Sequence, residues 1–370
     1  MTDLATTLAN LAERAKARSG YAGQAAQPDH LVAFDIAGAN PGRLSARCFV
    51  PAELPAGSAL VVVLHGCTQT AADYDRGAGW SQLAEEAGFA VLFPEQQQAN
   101  NQNLCFNWFS PIDQRRGSGE AQSIRTMIAE MVAAHDIDAS RIFITGLSAG
   151  GAMVSIMLAT YPEVFAGGAI IAGLPFGSAR SVGDAFARMR GDGHPAPAEL
   201  ASLVRRASDH HGPWPTVSVW HGGADTVVDP SNAGHIVAQW QALHGVDTQL
   251  PASERIDGSL RRQWRDADGR PVIESWTIDA MGHGTPLATR GADACGKSGP
   301  FMLEAGISST RHIARSWALL AEAKPARVSA SSIAERQSPK RPGVSALPSR
   351  KANSVATVIE DALRAAGLMR

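Results

Sequence analysis

The sequence predicts an α/β fold built on a mostly parallel sheet, and three observations predict it. First, continuous apolar runs recur along the chain, as at Ala59–Leu64 and Phe89–Phe93, and such runs suit strands buried on both faces. Second, segments with helical spacing lie between them. Over 120–135, Ile124, Met127, Ile128, Met131 and Val132 fall at i, i+3, i+4, i+7 and i+8. Strands that alternate with helices require crossover connections and hence a parallel sheet. Third, the apolar run Ile142–Thr145 passes at once into Gly146-Leu147-Ser148-Ala149-Gly150 and then into the apolar helical stretch opened by Gly151, Ala152 and Met153.

Composition narrows the function classes. The chain has 370 residues, 45% hydrophobic and 18% charged, enough for one large α/β domain or two small ones. Lys and Arg total 33 against 35 Asp and Glu, a formal net charge of −2, which gives no electrostatic case for nucleic acid. No apolar run approaches the length that spans a bilayer. The first twenty residues carry charges where a secretory signal would be continuously apolar, so a cytoplasmic location is expected. The four cysteines, Cys48, Cys67, Cys105 and Cys295, show no C-x-x-C spacing. A zinc site is not expected, and in a reducing compartment free thiols are. Whether Cys67 and Cys105 pair is left open.

In chain order, residues 1–30 read as a leading helix, with Leu4, Leu8 and Leu11 on one side, and a polar linker. The catalytic domain is expected over 31–321. Leu31–Phe34 and Ala46–Val50 open it as strands, the second stopped by Pro51. Ala59–Leu64 follows as a central strand and ends in His65-Gly66-Cys67. Trp80–Ala87 reads as a helix closed by Gly88, and Phe89–Phe93 as a strand stopped by Pro94. A long irregular region, Glu95–Gly119, carries Phe106, Asn107, Trp108 and Phe109. Loops of that length inside a compact domain are usually functional or mobile. After a parallel strand its aromatics fall at the strand C-terminal ends, where Trp108 and Asn107 are candidates for substrate contact. Past Phe165–Ala172, another strand, residues 173–215 are rich in Gly, Pro, Arg and His, with a helical patch at Ala198–Arg206. They read as a cap-like insertion whose His194, His210 and His211 are solvated or hydrogen-bonded. Thr216–Trp220 is the next strand, with Trp220 a further candidate for substrate contact. Arg262–Ile278 reads as a hairpin turning near Asp268-Gly269, and Thr310–Leu320 as the last domain helix. Residues 322–370 shift to Ser, Pro, Lys, Arg and Ala and end in an amphipathic helix, Val355–Leu368, a flexible linker and tail by composition.

The chemistry gathers at strand ends. Strand, G-x-S-x-G, helix is the nucleophile elbow of α/β-hydrolases. Glycines flank Ser148 because a side chain at 146 or 150 would strike the neighbouring strand or helix, and the serine is held at a strained backbone angle. Upstream, a strand ending in His-Gly is where that fold places its oxyanion loop, so the amides of Cys67 and Ala149 are the expected oxyanion donors. Downstream, Asp225 follows the Gly222-Gly223 pair at a strand end. Asp229, its rival, could instead lead into the helix holding Ile236, Val237 and Trp240. Among 11 histidines, His283 alone sits between two glycines just past a strand. The order Ser148, Asp225, His283 is that of α/β-hydrolases. A serine hydroxyl needs His283 as general base, and Asp225 would fix the imidazole tautomer. This chemistry requires no metal or organic cofactor. Because only the amide of Cys67 is used, Cys67→Ser is expected to keep most activity.

Leu64–Gln69 (LHGCTQ), Cys105–Phe109 (CFNWF), Gly146–Met153 (GLSAGGAM) and the Asp225 and His283 loops resemble the polyhydroxybutyrate (PHB) depolymerase family of esterases, from about Ala46 to Leu320. The resemblance implies a serine carboxylic-ester hydrolase cleaving short 3-hydroxyacid oligomers or polymers, with feruloyl and acetylxylan esterases as related activities. It implies Ser148 as nucleophile, Asp225 as acid, His283 as base and Cys67 in the oxyanion loop. Many polymer-degrading members are secreted and carry a separate binding domain, so an extracellular location stands as the alternative to the cytoplasm. A non-enzymatic alternative is a granule-associated binding protein using the tail helix. The sequence assigns no oligomeric state.

Overall fold

The computed structural model describes residues 30–320. The expected helices over 1–30 and 355–368, and the linker between the domain and the second, lie outside the described residues, apart from His30.

Six strands form a parallel core in the order β4-β3-β5-β6-β7-β10: β4 (Ala90–Glu95), β3 (Ser58–Leu64), β5 (Ile137–Leu147), β6 (Gly167–Ile171), β7 (Thr216–Gly222) and β10 (Pro271–Ile278). Antiparallel strands extend both edges, β2 (Ser45–Phe49) and β1 (Val32–Ala33) beside β4, and β9 (Ser259–Arg265) and β8 (Ala252–Ile256) beside β10. β11 (Thr285–Leu287) and β12 (Met302–Glu304) pair separately.

β3 shows why the central strands read as unbroken apolar runs. Leu60, Val62 and Leu64 enter one buried cluster and Ala59, Val61 and Val63 another, on the opposite face. The first cluster lies under helices α3 (Gly119–His135), α4 (Ala149–Thr160), α6 (Pro197–Arg205) and α7 (Ser231–His244). The second lies under α1 (Ala71–Ala78), α2 (Trp80–Ala87) and α8 (Ser309–Ser316). Each apolar side chain so enclosed contributes about 1.5–3 kcal/mol over its exposed state. The result is the three-layered α/β-hydrolase arrangement of the sequence reading.

The departures are local. β8 was not expected: its sequence is polar, four of its five residues are exposed, and it forms by pairing with β9. α1 was not expected either; its buried stripe is short, Ala71, Tyr74 and Ala78, and Thr70 caps it, its hydroxyl accepting from the Asp73 N–H at 3.1 Å. Residues 173–215 contain two helices, α5 (Val182–Met189) and α6. Leu200, Ala201 and Val204 of α6 are buried, and Gln239 of α7 bonds the backbone of both Phe176 and Leu200, so this segment docks on the helical layer.

Candidate active site

Ser148 stands where β5 meets α4. Its φ of 57° and ψ of −116° are strained for a residue with a side chain. The strain is fixed by close packing: a Cβ on Gly150 would lie 2.5 Å from the carbonyl oxygens of Leu64 and His65, and one on Gly146 2.7 Å from the backbone of Gly150. The Ser148 N–H donates to Ile171 at 2.9 Å. Ala149 opens α4, so its N–H has no carbonyl within the helix to receive it.

β7 and β10 bring the other two residues together. Their parallel register sets Gly222 beside Ile278, so the loops that follow emerge side by side. The Gly223 N–H donates to Ile278 and the Ala224 N–H to Met281, both at 2.9 Å. Gly222 permits this approach, since a Cβ there would meet the Met281 and Gly282 oxygens at 2.3 and 2.4 Å. His283 Nδ1 then bonds Asp225 Oδ2 at 2.7 Å. The Val227 and Val228 N–H groups donate to Asp225 Oδ1 at 2.8 and 3.0 Å, and His221 Nε2 lies 3.3 Å from Oδ2. Burial works against charge on Asp225, but the bonds from His221 and His283 prevail and hold its carboxyl well below the usual carboxylate range. Asp229 has the helix role: its Oδ1 accepts from the Ser231 N–H at 2.9 Å at the start of α7.

The register of β3 with β5 sets Leu64 beside Gly146, which brings the His65–Cys67 segment next to the elbow. His65 holds that segment, a role the sequence reading missed. Its Nδ1 donates to the Gly66 carbonyl at 2.8 Å, while its Nε2 accepts from the Gln96 N–H at 3.1 Å. Because the peptide is planar and trans, holding the Gly66 carbonyl toward the ring turns the Cys67 N–H the opposite way. Burial pushes His65 down to about 4, so at neutral pH it can donate through one nitrogen and accept through the other.

Two expectations are corrected here. Cys67 is not a free thiol: it is disulfide-bonded to Cys105, while Cys48 and Cys295 are free and buried. The bond staples the Cys67 loop to the aromatic loop. Trp220 does not face a substrate. It is 1% exposed, stacks on Trp276 at 4.4 Å between ring centres, and donates its indole N–H to Ser218 Oγ at 2.8 Å.

The other substrate-contact candidates belong to the loop's own framework. Asn107 donates through its backbone and side-chain amides to Glu120 at 2.8 and 2.7 Å, and its Oδ1 accepts from Asn101 at 3.0 Å. Gln96 adds a 2.6 Å bond to Glu120. Trp108 packs edge-on to Phe109 and keeps only 8% of its surface open. An aromatic ring that the sequence reading did not single out, Phe301, flanks His283 edge-on at 6.1 Å with a φ of 60°. Among the described residues, no cluster of three or more His, Cys, Asp and Glu could hold a metal.

A strained serine at an elbow, a buried imidazole–carboxylate pair and two loops of strand-end amides on a parallel sheet define an α/β-hydrolase. Residues 48–262 match the family model described as Esterase PHB depolymerase. The chain belongs to that family, and it is a carboxylic-ester hydrolase. It is 44% identical over 285 residues to the poly(3-hydroxyalkanoate) depolymerase C of Paucimonas lemoignei, covering 76% of this chain and 69% of the relative. It is 30% identical over 263 residues to acetylxylan esterase A of Emericella nidulans, covering 69% of this chain and 85% of the relative. Among solved structures, the acetyl xylan esterase from Aspergillus awamori aligns with a TM-score of 0.62 at 26% identity, over 68% of this chain and 93% of that one.

Proposed function

We propose that Ser148, His283 and Asp225 are the catalytic triad of an esterase acting on short 3-hydroxyalkanoate esters. The observation that carries the reading is the buried 2.7 Å bond from His283 Nδ1 to Asp225 Oδ2. That bond fixes the imidazole with Nε2 available to the serine. Ser148 Oγ attacks the ester carbonyl while Nε2 takes its proton. The N–H groups of Cys67 and Ala149 stabilise the oxyanion, each typically worth about 10²–10³ in rate. The imidazolium then protonates the leaving alcohol, and water repeats the sequence on the acyl-enzyme. Asp225 stays ionised throughout.

The higher identity to the poly(3-hydroxyalkanoate) depolymerase supports a 3-hydroxyacid ester as substrate. A second reading, an esterase of acetylated or feruloylated polysaccharide, draws on the structural likeness to the acetyl xylan esterase. The Cys67–Cys105 bond favours an oxidising, extracellular location over the cytoplasmic one. Among the described residues no helix is long and apolar enough to cross a membrane.

Initial rates on a 3-hydroxybutyrate oligomer, acetylated xylan and methyl ferulate, measured side by side, separate the two readings. Ser148→Ala serves as the blank and is expected to lower kcat by at least ~10³ on every substrate. Preference for the oligomer upholds the leading reading, and preference for either other ester replaces it with the second. Undiminished hydrolysis by Ser148→Ala would sink the triad itself.

A further inference from the structure

The carboxylate of Asp225 serves two imidazoles. We propose that His221 is a positioning residue of the active site, a second imidazole donor that locks the Asp225 carboxylate and moderates its charge toward His283; the proposal rests on the triad reading above.

His221 is the penultimate residue of β7 and lies on the face opposite Trp220, because successive side chains of a strand alternate. Its side chain is 2% exposed. Its Nε2 lies 2.9 Å from the Val228 carbonyl oxygen and 3.3 Å from Asp225 Oδ2. Both neighbours are acceptors, so Nε2 carries the hydrogen: it donates to the Val228 carbonyl and stands in 3.3 Å electrostatic contact with Asp225 Oδ2. Its Nδ1 is buried and finds no hydrogen-bond partner among the described residues. An imidazole there solely for packing would be a poor choice, since a buried nitrogen without a partner costs stability that a leucine would not. Among the described residues, the directed contacts of the ring therefore go to the Asp225 side chain and to the turn that carries Asp225.

The consequence follows from the number of donors. Asp225 receives Val227 N–H and Val228 N–H on Oδ1, and His283 and His221 on Oδ2. A carboxylate gripped at both oxygens cannot rotate away from His283. The added donor also withdraws charge from the oxygen that stabilises the His283 imidazolium. The titratable groups acting on Asp225 are His221 at the end of β7 and His283 on the loop after β10; its own loop supplies backbone amides. Without the His221 donor, Oδ2 would hold more charge for His283, the imidazolium would be favoured, and free base would be scarcer at a given pH.

The test compares His221→Leu, which removes the donor, with His221→Gln, whose amide nitrogen can occupy the Nε2 position. In His221→Leu the acid limb of the kcat/KM–pH profile is expected to move up by about half a pH unit, with kcat/KM at neutral pH falling ~3–10-fold. His221→Gln should restore both. His221→Asn, whose amide is too short to reach Oδ2, is the second donor-free variant should the leucine protein not fold. An acid limb unmoved in every folded donor-free variant overturns the proposal, even if activity falls, because a purely structural role would lower activity without moving it. Asp225→Asn, run in parallel, should lose about 10⁴ in kcat. If it keeps full activity, the triad reading fails; if it loses activity while the His221 variants leave the limb in place, only the role of His221 fails.

Discussion

At the residue scale, two His-Gly steps at strand ends perform related tasks with opposite tautomers. His65 donates through Nδ1 to the Gly66 carbonyl and thereby fixes the orientation of the Gly66–Cys67 peptide. His221 donates through Nε2 to the turn of Asp225. Each ring orients a group on the loop that follows its strand. His65→Leu, which removes the bond to Gly66, is expected to lower kcat by ~10–10² with KM little changed, because the misplaced amide matters most to the oxyanion of the transition state. Steady-state kinetics on one soluble ester decide it; an equal rise in KM at constant kcat would show that His65 serves substrate binding instead.

At the element scale, the loop between β4 and α3 behaves as a braced structure. Its braces are the Cys67–Cys105 bond, the Thr68 N–H donating to Asn103 at 2.6 Å, and the buried carboxylate of Glu120 receiving Asn107 and Gln96. The bridged cysteines are 38 residues apart, a closure that stabilises by about 4 kcal/mol in the chain-entropy view. Cys67→Ser therefore removes a staple as well as a thiol. The expectation that it keeps most activity gives way to a lower melting temperature and a several-fold loss of kcat, with Cys105→Ser matching it. Calorimetry and kinetics on both variants test this; if Cys105→Ser leaves the stability unchanged, the bond does not brace the loop.

At the scale of the whole molecule, buried ionisable groups set opposing pH dependences. Burial lowers His65, His194 and His244 from 6.5 to about 4. The unfolded chain binds their protons first, so stability falls as pH drops from about 6.5 toward 4. Glu120 acts in the other direction. Burial, with Asp113 nearby, raises it from 4.5 to about 8, so the folded state holds its proton longer and stability falls as pH rises from about 4.5 to 8. Three histidines outweigh one carboxyl below pH 6.5, and Glu120 acts against stability above it. The melting temperature should therefore peak near pH ~6.5. Glu120→Gln should flatten the decline between pH ~6.5 and 8; an unchanged slope in that variant would show that Glu120 is not its source.

What the sequence determined by itself was the alternation of core strands with helices and the placing of three candidate residues at strand ends. Ser148, Asp225 and His283 were legible because each is punctuated by glycines, and a glycine required by close approach leaves a local mark. The cap at Thr70 could have revealed α1 in the same way, through a hydroxyl three residues before an acidic first turn. Other features belonged to the tertiary structure alone. Thr216–Trp220 is buried on both faces, so nothing in its pattern tells which face looks toward the catalytic loops, and Trp220 fell on the far one. β8 has no apolar face and exists through its neighbour. Cys67 and Cys105 meet only after β3 and β4 pair, and His65, His221 and Glu120 gain their partners from segments distant in the chain or from turns that the sheet register closes. Local sterics can be read from local sequence, whereas a hydrogen bond between distant segments is decided only when the sheet has set their separation.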